Sequence, residues 1–134
     1  MSLMGDSRLN ATQHWLEKAG HDLLSAKVLL HEMPILTDSI CFHCQQAAEK
    51  ALKAYLVFQN CHVPKIHDLS SLVSECGKID NSFHALNDIL ADMTEYAVDS
   101  RYATAVGEIP LPEAREAFSN AEKCMAFVKE KIKW

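Results

Sequence analysis

Glycine and proline are scarce in this chain of 134 residues, which has four of each. Both residues interrupt helices, so their scarcity favours long helical segments. Long apolar runs are missing too, because hydrophobic residues make up 49% of the chain without any run near the roughly 18 residues that a membrane-spanning helix needs. The first residues also lack the basic start and apolar middle of a secretory leader. We therefore expect a cytoplasmic protein with no membrane partner.

Familiar ligand motifs are absent as well. The chain has neither of the phosphate-cradling loops GxxxxGK[ST] and GxGxxG, and it has no paired Glu-x-x-His for a di-metal bundle. The formal net charge of −5 argues against broad, charge-driven binding of nucleic acid. Only Arg8, Arg101 and Arg115 can make the forked contacts that suit phosphate. We expect no cofactor, no metal, and at most a small, focal anion site.

The five cysteines are an odd number, which indicates free thiols in a reducing compartment. Cys41-x-x-Cys44 has three interpretations. A zinc site would need a second ligand pair, which Cys61-His62 and Cys76 do not supply at the usual spacing. A redox pair would sit at a helix start beneath a βα unit, whereas this pair lies inside a helical pattern. Buried cysteines that act as small hydrophobic residues are therefore the favoured interpretation.

Apolar residues repeat every three to four positions in five segments, and no segment reads as a convincing strand. The predicted helices run from Asn10 or Thr12 to about His31 before Pro34, from Thr37 or Asp38 to about Gln59, from Asp68 to Cys76-Gly77, from Asn81 or Ser82 onward, and from about Pro112 to the last residues. The interval 97–112 is predicted to be a loop. The fold class is therefore all-α, an antiparallel up-and-down bundle of four long helices plus one short helix.

The domain organisation predicted from this pattern is a single domain over residues 1–134. No repeat, low-complexity tract or linker divides the chain. Residues 1–9 are expected to be disordered or left over from expression, because the helical pattern starts after them.

The second helix sorts into two faces. Its apolar face is formed by Ile40, Cys44, Ala47, Ala48, Ala51, Tyr55 and Phe58. Its opposite face carries His43, Gln46, Lys50 and Lys53, with Glu49 beside them. A surface helix does not need this mixture of imidazole, amide and ammonium groups, so the stripe is a candidate binding site. The alternative is a solvated face with minor ion pairing.

The run from Cys41 to Leu56, together with His67-Asp68-Leu69, Glu95-Tyr96 and Ser100-Arg101-Tyr102, resembles the HEPN family. These are small helical domains of prokaryotic toxin–antitoxin and nucleotide-handling systems. The likeness begins near Trp15 and fades within the last helix. It implies a helical bundle, a homodimer, and an association with a nucleotidyltransferase-like protein or with a nucleotide or RNA.

In families of this kind, the ribonuclease members carry Arg, four to six residues and then His near the start of the last core helix. No histidine follows Arg101 anywhere in this chain, and the only literal match, Arg8-x5-His14, lies at the other end of the fold. This departure weighs against an enzyme, because the expected proton-transfer group is missing. A substitute set of His43, His67 and Glu95 remains open as catalytic candidates.

The bland interpretations of these residues also remain open. His43 is equally explained as a residue at the core edge that is hydrogen-bonded to a neighbour, and His67 as a turn residue beside a capping Asp68. Arg101 either pairs with Glu95 or binds phosphate.

The leading hypothesis is a binding or regulatory module that pairs with a nucleotidyltransferase-like protein or holds a nucleotide or RNA phosphate. Its predicted phosphate-binding residues are His43, Gln46, Lys50, Lys53 and Arg101, with Glu95 orienting the arginine. The alternatives are a metal-independent endoribonuclease with a histidine at a non-standard position, and a dimerisation module without a ligand.

Overall fold

The structure, a computed structural model, describes residues 3–93, 96 and 109–133, with side chains from residue 7 onward. Helices dominate these residues, and no strand occurs among them. The elements are α1 (Leu3–Glu32), α2 (Thr37–Phe58), α3 (Leu69–Gly77), a 3₁₀ helix (Asn81–Leu86), α4 (Asn87–Leu90) and α5 (Leu111–Lys131). The predicted all-α helical fold is confirmed. None of the described helices has the length and apolar character needed to cross a bilayer.

The first helix starts earlier than its sequence pattern predicts. It begins at Leu3, so residues 3–9 belong to α1 instead of lying outside the fold. Thr12, predicted as a capping residue, is buried inside the helix, and its hydroxyl donates to the Arg8 carbonyl at 2.8 Å. This back-bonding satisfies the hydroxyl locally, as is common for threonine within helices. The C-terminal prediction is confirmed, since α1 ends at Glu32, two residues before Pro34.

The end of α2 is closed by Asn60, whose φ of 61° lies in the left-handed region. The Cys61 N–H donates to the Leu56 carbonyl and the Asn60 N–H to the Val57 carbonyl, each at 2.9 Å. These two bonds form a Schellman motif, which satisfies carbonyls that the helix leaves unpaired. The Arg8 guanidinium donates to the Phe58 carbonyl at 2.9 Å, so a cation also lies at the negative end of the helix dipole.

Helix α2 is the centre of the bundle. It packs against α1, α3 and α5, and 14 of its 22 residues are buried. The predicted apolar face is correct, whereas the alternative of a solvated opposite face does not hold for Glu49 and Lys53, both of which are buried. The reason is that neighbouring elements cover α2 on more than one side. Polar residues on it must therefore find partners within the protein.

The predicted fourth long helix is interrupted in the described residues. The chain forms the 3₁₀ helix over Asn81–Leu86 and then α4, which has only four residues. Asp80 caps the 3₁₀ helix, because its carboxylate accepts the Ser82 N–H at 3.0 Å. Asn81, Ser82 and Asn87 favour such local bonds over a regular helix, which explains the tighter turn. Phe83 still reaches the core, where its ring lies 4.4 Å from that of Tyr55 between centroids.

Gly77, at the end of α3, allows a close approach of the 3₁₀ helix. A Cβ at this position would lie 2.5 Å from Nε2 of His84. The absence of a side chain at Gly77 therefore leaves room for the His84 ring, and α3 ends where the sequence predicts.

Candidate ligand-binding site

Asp22 of α1 holds two basic side chains of α2. Its Oδ2 lies 2.6 Å from the Lys50 Nζ, and its Oδ1 lies 2.9 Å from the His43 Nδ1. His43 and Lys50 are seven residues apart, which is two helical turns, so both project from one side of α2. The side chain of Asp22 is 12% exposed, against 26% for Lys50 and 31% for His43. The carboxylate therefore lies beneath two donors that reach solvent.

Glu49 forms a second, more deeply buried cluster. Its Oε2 accepts the Lys53 Nζ at 3.0 Å and lies 3.1 Å from the His67 Nδ1, while its Oε1 accepts the Gln45 Nε2 at 3.2 Å. Glu49, Lys53 and Gln45 are all buried, whereas His67 is exposed. A buried charge of this kind is stabilised only when its partners are in place.

The pKa of the Glu49 carboxyl reflects these partners. Burial works to raise it, but the hydrogen bonds from Lys53, Gln45 and His67 outweigh burial, so the pKa is lowered from its usual value of 4.5. Glu49 is therefore ionised at neutral pH and neutralises Lys53. The Lys53 ammonium also lies 5.8 Å from the centroid of the Trp15 ring, which gives it a cation–π contact on α1.

Two glutamines of α2 extend the second cluster. Gln46 donates from Nε2 to Oε1 of Gln45 at 2.7 Å, and Gln45 donates to the His67 carbonyl at 3.2 Å. The buried Gln45 amide thus ties α2 to the segment that precedes α3. Both clusters share one arrangement, in which a carboxylate holds one lysine and the Nδ1 atom of one histidine.

Comparison with known proteins identifies the fold and the family. A sequence model of the HEPN domain matches residues 12–132. This chain belongs to the HEPN family. The crystal structure of an archaeal HEPN homologue superimposes with a TM-score of 0.72 at 25% sequence identity, and the match covers 91% of this chain and 98% of that chain. No curated protein is similar enough to count as a match.

The HEPN stripe predicted on α2 is divided between the two clusters. His43 and Lys50 both contact Asp22 and are partly exposed to solvent. Lys53 is buried against Glu49 and does not belong to the exposed part of the stripe. Gln46 is half-buried. The two other residues of the predicted site, Glu95 and Arg101, lie outside the described residues.

Sequence reasoning missed Asp22, the residue that organises the exposed cluster. Asp22 lies on the inward side of α1, in register with the buried residues Ala19 and Ala26. An acid at a core position of an amphipathic helix needs a basic partner, so its position was the available signal. The sequence does not show where that partner lies, because Lys50 follows 28 positions later.

His67 and Asp68 combine the two interpretations that the sequence left open. Asp68 occupies the N-cap position of α3, as predicted, but its side chain makes no hydrogen bond to a backbone N–H of that helix. Instead its Oδ2 accepts the Ser71 hydroxyl at 2.7 Å. His67 is more than a turn residue, because Glu49 holds its ring and Gln45 binds its carbonyl.

In the sequence Arg8-x5-His14, which literally matches the ribonuclease spacing, Arg8 has a structural role. Arg8 donates to the Phe58 carbonyl, and its guanidinium lies 5.5 Å from the centroid of the Phe58 ring. His14 is exposed on α1. Arg8 therefore closes the C-terminal end of α2, and the match to the HEPN ribonuclease spacing is best explained by chance.

The cysteine pair of α2 is buried. Burial raises the pKa of the Cys41 thiol to about 12 and raises that of Cys44 above its usual value as well. Thiols of this kind stay protonated and unreactive at neutral pH, which supports their interpretation as small hydrophobic residues. Across residues 3–93, 96 and 109–133, no group of three or more His, Cys, Asp or Glu side chains could hold a metal ion.

Proposed function

We propose that this HEPN protein is a binding module that holds a phosphate group of a nucleotide or RNA at Lys50 and His43. The observation that carries the proposal is the relative exposure of the three side chains in the cluster of Asp22, His43 and Lys50, named here the exposed cluster. The Asp22 carboxylate lies beneath Lys50 and His43, so an approaching anion meets the donors before it meets the negative charge.

The donors at this site suit a phosphate oxygen. Lys50 has three N–H donors, of which one is directed to Asp22. The His43 ring presents Nδ1 to the same carboxylate, and in the imidazolium form its Nε2, on the far side of the ring, is an N–H donor for a phosphate oxygen. Asp22 thereby sets the spacing and orientation of both groups before a ligand arrives. Because Asp22 also cancels one positive charge, we expect binding to be weak and focal.

The residues of the predicted site contribute unequally in this proposal. Gln46 is half-buried and lies one helical turn from both His43 and Lys50, so its amide, which also donates to Gln45, is near the ligand. Lys53 is neutralised by the buried Glu49 and serves stability instead. Arg101 supplies a second, forked contact to phosphate, with Glu95 orienting it. Its support is the chemistry of the guanidinium and its position in the family-like Ser100-Arg101-Tyr102 motif.

The test is a titration of the ¹⁵N-labelled protein with adenosine monophosphate, followed by amide chemical shifts. We expect saturable shifts around His43 and Lys50, and an affinity about tenfold weaker in Lys50→Gln and His43→Gln, the loss expected for one charged hydrogen bond. Lys123→Gln, which changes an exposed lysine of α5, is the matched control. Absence of saturable shifts in the unchanged protein, or equal weakening by the control, contradicts the proposal.

Arg101→Ala separates binding from folding. If Arg101 contacts phosphate, this variant weakens the binding of adenosine monophosphate and leaves the helical circular-dichroism signal intact. Loss of that signal would instead make Arg101 a structural residue, and unchanged binding would remove it from the site.

The proposal includes a homodimer and a nucleotidyltransferase-like protein as a partner, and both are supported by the family membership of the chain. Native mass spectrometry of the protein isolated gently from its own cells tests them together. A dimer that carries a second protein of nucleotidyltransferase size supports the proposal. A monomer contradicts the homodimer, and a bare dimer contradicts the protein partner.

A metal-independent endoribonuclease is the second candidate, favoured by the two carboxylate–histidine pairs. Asp22 and Glu49 each contact the Nδ1 atom of a histidine, and in a neutral ring that donates from Nδ1 the Nε2 atom is a proton acceptor. This candidate predicts RNA cleavage in the presence of a chelator that is abolished by His43→Gln or by His67→Gln. RNA that stays intact at high concentrations of purified protein rules it out.

A further inference from the structure

Two large apolar side chains on the outward face of α1 are exposed and do not pack into the core. Leu24 is 57% exposed and Val28 is 49% exposed. They are four residues apart, so they form a ridge along one side of the helix. Single exposed apolar residues are common, whereas neighbouring ones form a patch that is a candidate contact surface for another protein.

A groove lies one turn before this ridge. Gly20 is four residues before Leu24, and a Cβ at Gly20 would meet nothing within 4 Å. The groove has a volume of about 500 Å³ between α1 and the end of α5, and its lining includes the buried Leu16 and Ile132. The exposed Glu17, His21 and Lys129 also line it. The same face of the chain thus carries an apolar ridge and an apolar recess.

We propose that this face, defined by Glu17, Gly20, Leu24, Val28 and His31 and named here the α1 face, pairs with the α1 face of a second copy in antiparallel orientation. Residues 20, 24 and 28 are equally spaced, so a two-fold axis at Leu24 brings Leu24 against its own copy. The same axis brings Val28 of each copy to Gly20 of the other. The ridge of one chain then enters the recess of its partner, which is the self-complementarity that an isologous dimer requires.

Polar side chains on the α1 face suit the same pairing. Glu17 is seven residues before Leu24 and His31 is seven residues after it, so the two-fold axis places each Glu17 carboxylate, an acceptor, against the His31 imidazole, a donor, of the other copy. Both side chains are exposed. Lys27 and His21 are also related by the axis, but at 100° per residue they lie about 60° to either side of Leu24, where both reach solvent.

The apolar surface continues beyond the helix. Met33, Ile35 and Leu36, in the turn between α1 and α2, are exposed. A stable dimer buries about 800 Å² on each partner, which is more than one helix stripe supplies. The turn and the end of α5 at Lys129 therefore have to join the α1 face in the interface.

The inference rests on the proposed homodimer and names its surface, so its test must separate the two. Sedimentation equilibrium measures the dimer dissociation constant of the unchanged protein and of Gly20→Leu and Leu24→Glu. We expect both changes to weaken the dimer at least tenfold, because one fills the recess and the other places two carboxylates at the axis. Ile79→Glu, which alters an exposed apolar residue elsewhere, is the matched control and should leave the constant unchanged.

The variants are chosen so that loss of the dimer can be distinguished from loss of folding. Leucine favours helix more than glycine does, so Gly20→Leu should keep the helical circular-dichroism signal. Gly20→Val should also weaken the dimer, and adding Val28→Ala should restore it to within about threefold of the unchanged protein, because the two positions face each other across the axis. This recovery requires contact between the copies and does not follow from a local change in one helix.

Each outcome decides a different statement. A monomer at every concentration overturns both the homodimer and the α1 face. A dimer that is insensitive to Gly20→Leu and Leu24→Glu overturns the α1 face and leaves the homodimer intact. A dimer that Ile79→Glu weakens as strongly as Leu24→Glu also overturns the assignment to α1.

Discussion

The Asp22 carboxylate of α1 lies 2.6 Å from the Lys50 ammonium of α2, and the same carboxylate binds the His43 ring at 2.9 Å. One acidic residue therefore links two helices and orients two basic groups toward solvent. The link serves stability and ligand binding together, because the partners of Asp22 are also the proposed phosphate donors.

Asp22→Asn keeps the shape of the side chain and removes its charge. We expect a loss of about 1 kcal/mol in the free energy of unfolding, since Lys50 and His43 lose a partly buried counter-ion. Urea denaturation measures this loss. Asp88→Asn, at an exposed position of α4, is the control and should change little. Equal effects of the two substitutions would show that the Asp22 link does not stabilise the fold.

Glu49→Gln should cost more, because it leaves the buried Lys53 without a counter-ion. We expect a loss of about 3 kcal/mol at pH 7. Glu75→Gln is the matched control, since it removes the carboxylate of the exposed Lys78–Glu75 pair. That change should cost less than about 0.5 kcal/mol. If both variants lose the same free energy of unfolding, burial of the Glu49–Lys53 pair does not determine how much the pair stabilises the protein.

The pH dependence of stability follows from the lowered pKa of Glu49. The carboxylate form is favoured in the folded state, so its contribution is present above the usual value of 4.5 and is lost as the pH falls through the lowered pKa. The difference in unfolding free energy between the unchanged protein and Glu49→Gln should therefore shrink on acidification from pH 7. Denaturation at a series of pH values measures it, and a difference that grows in acid contradicts the assignment.

The cysteines should differ in reactivity. Cys61 is exposed, whereas the other four cysteines are buried, and burial raises the pKa of Cys41, Cys76 and Cys124 to about 12. A thiol-specific colorimetric reagent at neutral pH should modify Cys61 rapidly and the others only after unfolding. The variant Cys61→Ser should lose the fast phase. A second fast-reacting thiol would contradict the burial of at least one of the other four cysteines.

The Schellman motif at the end of α2 gives a backbone prediction. Asn60 adopts a φ of 61°, so Asn60→Ala should destabilise the protein by about 1 kcal/mol, because the short polar side chain of asparagine tolerates the left-handed conformation better than alanine does. Asn60→Gly is the control and should be close to neutral, because glycine adopts this conformation readily. Thermal unfolding compares the two. A loss in the glycine variant as large as in the alanine variant would assign the effect to the Asn60 side chain.

Local sequence signals predicted the helix boundaries correctly where a residue that starts or ends a helix is strong. Pro34 ends α1, Asn60 follows α2, and Pro112 lies in the first turn of α5. Local sequence signals were misleading where the helix-boundary residue is a weak signal. Thr12 suggested a cap but lies inside α1, and the segment after Asp80, which begins with Asn81 and Ser82, forms a 3₁₀ helix instead of the start of a long α-helix.

The candidate site divides in the same way. The sequence by itself determined that His43, Gln46, Lys50 and Lys53 project from one side of α2, because helical periodicity sets the direction of each side chain. The tertiary structure decided which of them reach solvent, because α1 and the segment before α3 bring Asp22 to Lys50 and His67 to Glu49 from positions 28 and 18 residues away. Periodicity describes one helix, whereas burial depends on what packs against it.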